Sequence, residues 1–123
     1  MGINSAKIES ILQNFVTGTS DLQGATLVSP DGLTIAARLP GGMDDERVSA
    51  MSAAMLSLGE RIGSELSRGT VDRIFVEGSE GFGILSSCDE DAVLLVLANE
   101  TAKQGILMLE IKRVLVELKL VLM

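Results

Sequence analysis

Turned at about 100° per residue, the stretch from Asp44 to Gly69, DDERVSAMSAAMLSLGERIGSELSRG, reads as one long helix with two different faces. Val48, Met51, Met55, Leu58, Ile62 and Leu66 fall within a quarter-turn, an apolar stripe suited to packing on a sheet. The opposite side carries Ala50, Ala53, Ala54, Ser57 and Ser64, with Glu60 and Arg61 beside them, so it is small-sided and lightly charged. Such a face either admits a second helix at close range or reflects the helix propensity of alanine on an open surface. Asp44 or Asp45 is placed to cap the start, the acidic first turn suits the helix dipole, and Arg68-Gly69 forms a stop signal.

Upstream, Ile8, Ile11, Leu12, Phe15 and Val16 recur at three- and four-residue spacing, which predicts a helix from Asn4 to about Thr17 with Asn4 or Ser5 as cap. The stretch from Gly24 to Val28, the turn Ser29-Pro30-Asp31-Gly32 and the stretch from Leu33 to Ala37 predict a β-hairpin. Downstream, three strands are expected over Val71–Glu77, Phe82–Ser87 and Ala92–Ala98, joined by turns short enough to require a meander. The last of these, AVLLVLA, has no polar side and belongs at the centre of the sheet, covered on both faces. In the first, Arg73, Phe75 and Glu77 alternate with Asp72, Ile74 and Val76, which places it at an edge. A final helix begins near Ala102 with Asn99 or Thr101 as cap. Its tail from Leu118 to Met123 is too apolar to stand free and should pack on its own sheet or on a neighbouring subunit. The order helix, two strands, helix, three strands, helix is that of an α/β sandwich (α+β) on an antiparallel sheet, with helices on both faces.

Length and charge narrow what such a domain does. At 123 residues the chain has room for one domain, 1–123, with a real core. Three Phe and no Trp or Tyr leave no stacking platform for single strands, and a net charge of −7 opposes a phosphate backbone, so nucleic acid is excluded as partner. The absence of histidine removes the Ser-His-Asp and Cys-His nucleophile systems and His-ligated zinc. Cys88 has no cationic base beside it in sequence and reads as an inert residue. The run Cys88-Asp89-Glu90-Asp91 reads as a solvated turn rather than a cation site, and Gly78-Ser79-Glu80-Gly81-Phe82-Gly83 lacks the Lys and Ser/Thr of a phosphate loop. No catalytic residue, cofactor or metal is expected. Five charges in the last helix argue against a membrane span, and the first ten residues lack a signal-peptide pattern, so a cytoplasmic protein is expected. Met1-Gly2 begins as a myristoylation site does, but Ser5 stands one residue short of the required position.

The ordered set LQGATLVSPDGLTIAARLP, SAMSAAMLSLGERIGSEL and VDRIFVEGSEGFGILSSCDEDAVLLVLAN, followed by a closing helix, resembles the Roadblock/LC7 family, and within it the small prokaryotic members of the MglB type. The resemblance runs from about Ile8 to Leu118. It implies a profilin-like αββαβββα sandwich: a five-stranded antiparallel sheet with the middle helix on one face and the terminal helices on the other. It implies a homodimer made by pairing the middle helices and the edge strands that follow them. The residues that would meet a sister subunit or a GTPase are then Ala50, Ala53, Ala54, Ser57, Arg61, Ser64, Arg73, Phe75 and Glu77, while Met51, Met55, Leu58 and Ile62 hold the helix to its own sheet. The paired helices form, in that family, a platform for small Ras-like GTPases. The expected function is therefore a regulator or adaptor of an MglA-type GTPase, without an active site of its own. The alternative is a dimeric scaffold indifferent to GTP hydrolysis. A small-molecule sensor is weaker, since few polar groups are available to line a pocket. Arg38, Arg61 and Arg68 lie near the platform, but a helix-borne Arg beside acidic neighbours usually forms a surface ion pair rather than an arginine finger. The apolar tail is a departure from the family pattern.

Overall fold

Asn4 accepts the Lys7 N–H at 3.1 Å and starts α1 (Ser5–Gly18), which buries Ile8, Leu12 and Phe15. β1 (Leu22–Val28) and β2 (Thr34–Arg38) follow as an antiparallel hairpin. Its turn is tied by the Ser29 N–H to Leu33 O (2.9 Å) and the Gly32 N–H to Ser29 O (3.0 Å), with Gly32 at φ +93°, a conformation that favours glycine. Asp44 caps α2 (Asp45–Glu65) by accepting the Glu46 N–H at 3.0 Å. The meander β3 (Arg73–Gly78), β4 (Gly81–Asp89) and β5 (Ala92–Asn99) leads to α3 (Gln104–Leu122). The computed structural model describes residues 4–123; Met1-Gly2, and with them the myristoylation reading, lie outside the described residues.

All four strand pairings are antiparallel and the sheet runs β2-β1-β5-β4-β3. The unbroken apolar run of β5 takes the centre and β3 an edge, as its polar alternation predicts. One face of the sheet carries α1 and α3 over a core that includes Leu27, Ile84, Leu94 and Val96; the other carries α2 over Leu85, Val93 and Leu95. This is the expected three-layer sandwich.

The inner face of α2 differs from expectation. Met51, Leu58, Ile62 and Leu66, assigned by periodicity to the sheet, are between 50% and 62% exposed, and Met55 is only half-buried. The buried residues are Val48, Ser49, Ser52 and Gly63, with Leu56 and Gly59 half-buried beside them. The cause is close approach. A Cβ on Gly59 would stand 2.5 Å from Ile74 Cδ1, and one on Gly63 would stand 2.6 Å from Gly69 O and 2.8 Å from Val71 Cγ2. No larger side chain fits between α2 and β3 at Gly59, or between α2 and the connection before β3 at Gly63, so the bulky apolar stripe is rotated outward.

The start of α3 also differs. Neither Asn99 nor Thr101 caps it; Lys103 holds the cap position without a side-chain bond. Asp21, at φ +72°, explains this: its carboxylate accepts from Asn99 Nδ2 (3.3 Å) and Thr101 Oγ1 (3.0 Å), and its carbonyl accepts the Asn99 N–H (2.9 Å). Both side chains are thus committed to joining β5 to the start of β1. In the apolar tail Leu118 is buried and Val121 and Leu122 half-buried, while Leu120 and Met123 stay exposed.

Candidate functional site

The outward surface of α2 presents two stripes. One is apolar: Met51, Leu58, Ile62 and Leu66, with Met55 at its inner margin. The second holds the small and charged residues predicted as interface: Ala50, Ala54, Ser57, Arg61 and Ser64 are exposed. Ala53 is half-buried against the hairpin turn, where a Cβ on Gly32 would lie 3.5 Å from Ala53 Cβ. The exposed residues of both stripes are open to a partner, but the first carries the larger apolar area and would gain more free energy from leaving water. An exposed row of large aliphatic side chains is a mark of an interaction site.

β3 contributes to two faces. Ile74 stands opposite Leu85 and Val76 opposite Gly83, so these side chains lie on the α2 face, and Val76 is 49% exposed there. Arg73, Phe75 and Glu77 stand opposite Ser86, Ile84 and Phe82 and therefore lie on the α1/α3 face. Phe75 packs edge-on against Phe82 with ring centroids 5.6 Å apart. The nine predicted contact residues are thus not one patch: the sheet separates Arg73, Phe75 and Glu77 from the α2 group. Among the described residues the outer edge of β3 has no strand neighbour, which leaves its backbone free to pair with another strand. The exposed apolar residues that sequence reasoning did not place on this surface are Met51, Leu58, Ile62, Leu66 and Val76. A signal for them existed, since Ser52, Gly59 and Gly63 share one helical face and mark a close approach that excludes the bulky stripe.

Of the three arginines near this surface, Arg61 Nε is 3.0 Å from Glu65 and Arg68 Nε donates to Leu66 O at 2.9 Å. Each has an intramolecular partner; Arg38 is exposed at the end of β2. Elsewhere the chemistry is sparse. Cys88 is buried, and burial pushes its thiol up to about 11, with Asp89 adding to the rise and Lys119 opposing it. A thiol so raised is a poor nucleophile. The Asp89 carboxylate accepts the Asp91 N–H at 2.8 Å within the β4–β5 turn. Among the described residues no group of three or more Cys, Asp or Glu is arranged to hold a metal, and no helix is long and apolar enough to cross a membrane. A cleft of about 430 Å³ lies between the end of α1 and the start of α3. Its Asp21 is already bonded to Asn99 and Thr101, and its Arg113 is 3.4 Å from Glu110.

Comparison with known proteins bears on the fold and the family. The model of the Roadblock/LC7 domain matches residues 9–98. An uncharacterized protein of Methanocaldococcus jannaschii is 33% identical over 101 residues, 82% of this chain and 88% of the relative. Among solved structures, the Roadblock/LC7 domain from Streptomyces avermitilis superposes with a TM-score of 0.84 at 23% identity, covering 93% of this chain and 96% of that one. Myxococcus xanthus MglB superposes with a TM-score of 0.90 at 17% identity, covering 99% and 92% respectively. At these identities the superpositions speak for the fold.

Proposed function

The chain belongs to the Roadblock/LC7 family, and from that premise we propose that it is a homodimeric, cytoplasmic regulator or adaptor that binds a small Ras-like GTPase of the MglA type and modulates its nucleotide cycle. The observation that carries this reading is the outward apolar stripe of α2 beside the free edge of β3. In the dimer, Met51, Leu58 and Ile62 meet their symmetry mates, and β3 extends the sheet across the two-fold axis. The predicted residues Ala50, Ala54, Ser57 and Arg61 flank that seam and form the platform on which the GTPase rests. Arg73, Phe75 and Glu77 belong to the strand-pairing half of the interface.

The protein acts without an active site of its own. If it accelerates hydrolysis, it does so by stabilising an ordered catalytic conformation of the GTPase, which requires tighter binding to that state than to others. The intramolecular partners of Arg61 and Arg68 support this over an inserted arginine. Light scattering on size-exclusion peaks of dilute protein, with Ile62→Lys and Leu58→Lys, tests the dimer made through α2: wild type is expected at twice the chain mass and both variants at the monomer mass. A Ras-like GTPase loaded with GTP or GDP analogues then tests the platform. Nucleotide-dependent binding lost in Ala54→Arg, with the dimer retained, supports it, while binding equal in both nucleotide states would make the protein a scaffold.

A further inference from the structure

The outer face of α3 carries a second apolar seam, on the side of the sheet away from α2. Ile106, Leu109, Val116, Leu120 and Met123 are 57% to 94% exposed, and with Arg113 they follow one another at intervals of three, four, three, four and three residues. That is the spacing of alternate a and d positions in a coiled coil. The buried residues Leu107, Ile111, Val114 and Leu118 lie on the opposite side of the helix, so the seam is additional to what holds α3 to the sheet.

Charges flank the seam in a sorted way. Glu110 and Glu117 take the position following the d residues Leu109 and Val116, and Lys112 and Lys119 the position preceding the a residues Arg113 and Leu120. One edge is acidic and the other basic. When two copies of this helix face each other in parallel, a two-fold axis along the helices brings the basic edge of one against the acidic edge of the other on both sides, and Lys112 meets Glu117 of the second copy twice. In an antiparallel pair the same edges meet themselves, Glu110 against Glu117 and Lys112 against Lys119, which is repulsive. Arg113 falls within the seam, but its guanidinium is 3.4 Å from Glu110 of its own chain, so the charge is drawn to the acidic edge while the aliphatic stem covers the seam.

We propose that this seam is a self-association surface whose occupant is α3 of a second copy, in parallel orientation. The three a and three d positions form a short seam, so the contact is weak and concentration-dependent. It lies across the sheet from α2 and is independent of the dimer proposed above: a protein using both surfaces passes from dimer to tetramer.

Sedimentation velocity across a concentration series tests this, with three sets of variants at exposed positions. Leu109→Gln/Leu120→Gln is expected to remove the upper step and leave the dimer, whereas Ile62→Lys, a monomer when dilute, forms at the high end of the series a dimer made through α3 alone; failure of the α2 interface is thereby separated from failure of this one. Lys112→Glu is expected to weaken the upper step at least tenfold, and Lys112→Glu/Glu117→Lys to restore it. Strengthening by Lys112→Glu would overturn the parallel arrangement, because the antiparallel pair gains from that change. Leu109→Cys is expected to cross-link to itself under mild oxidation in the parallel pair, and no cross-link would refute it, since antiparallel packing separates the two sites by roughly 16 Å along the axis. No concentration-dependent step in wild type, or loss of vesicle binding instead of self-association in Leu109→Gln/Leu120→Gln, overturns the proposal.

Discussion

Gly63→Ala tests the close contact between the last turns of α2 and the connection that leads from it to β3. An added Cβ would stand 2.6 Å from Gly69 O and 2.8 Å from Val71 Cγ2, shorter than real Cβ contacts, and one of the two neighbours is backbone. The Gly63 carbonyl also accepts the N–H groups of Arg68 (2.7 Å) and Gly69 (3.1 Å), which close the helix. Relief therefore requires α2 or the turn after it to move. Overpacking of this kind costs about 1–3 kcal/mol, and weakening one closing hydrogen bond adds about 1 kcal/mol. Against this, alanine is favoured over glycine in a helix by about 1 kcal/mol. The net expectation is a loss of roughly 2 kcal/mol, a fall in Tm on the order of 8 °C for a domain of this size. Urea denaturation followed by circular dichroism, at one fixed protein concentration because association contributes to stability, measures it. Gly105→Ala is the control: nothing lies within 4 Å of its added Cβ, and a gain of up to about 1 kcal/mol is expected. If Gly63→Ala is as stable as wild type or gains as Gly105→Ala does, the last turns of α2 do not lie as close to the connection before β3 as described, and the outward assignment of Ile62 and Leu66 falls with it.

Three further outcomes are expected. Ser86→Ala should raise the unfolding free energy measured in urea by up to about 1 kcal/mol, since the Ser86 hydroxyl is buried without a hydrogen-bond partner among the described residues. Cys88 should resist a thiol reagent at pH 8 in the native protein and react at once in urea. Because its thiol is raised from 9.0 to about 11, the stabilisation from its protonated form is complete below pH 9 and lost as pH rises towards 11, seen as a declining urea midpoint over that range. Asp44→Ala should cost about 1 kcal/mol in the same assay through loss of the bond to the Glu46 N–H, with Asp44→Ser recovering most of it.

How far the fold was legible in sequence depended on whether a segment's surroundings are recorded in its own residues. β5 has no polar side, so its central place followed; Arg73 and Glu77 alternate with Ile74 and Val76, so the edge followed. α2 failed where two criteria competed. Ranking faces by hydrophobicity sends Met51, Leu58 and Ile62 to the subunit's own sheet, but hydrophobicity does not say which of two apolar contacts a stripe serves. Side-chain size decides it, through Ser52, Gly59 and Gly63. The α3 cap failed because Asn99 and Thr101 are bonded to Asp21, a partner 78 and 80 residues away that local pattern does not reveal. Sequence alone does not say which sheet face Arg73, Phe75 and Glu77 occupy; strand register places them across the sheet from α2.

The small inner face of α2 has an energetic consequence that joins fold to function. α3 is held to the sheet by four fully buried aliphatic side chains, Leu107, Ile111, Val114 and Leu118, each worth about 1.5–3 kcal/mol on burial. α2 buries one aliphatic residue, Val48, together with two serines and a glycine, and half-buries Met55 and Leu56. Close backbone packing recovers some dispersion energy, but the hydrophobic contribution to docking is smaller by several kcal/mol on the same scale. The bulk of its apolar surface faces outward. A helix so arranged draws much of its stability from whatever covers Met51, Leu58 and Ile62, so in the proposed dimer the order of α2 is coupled to association. A GTPase resting on paired α2 helices would then distinguish dimer from monomer through the helix it touches, without any further switch in the subunit.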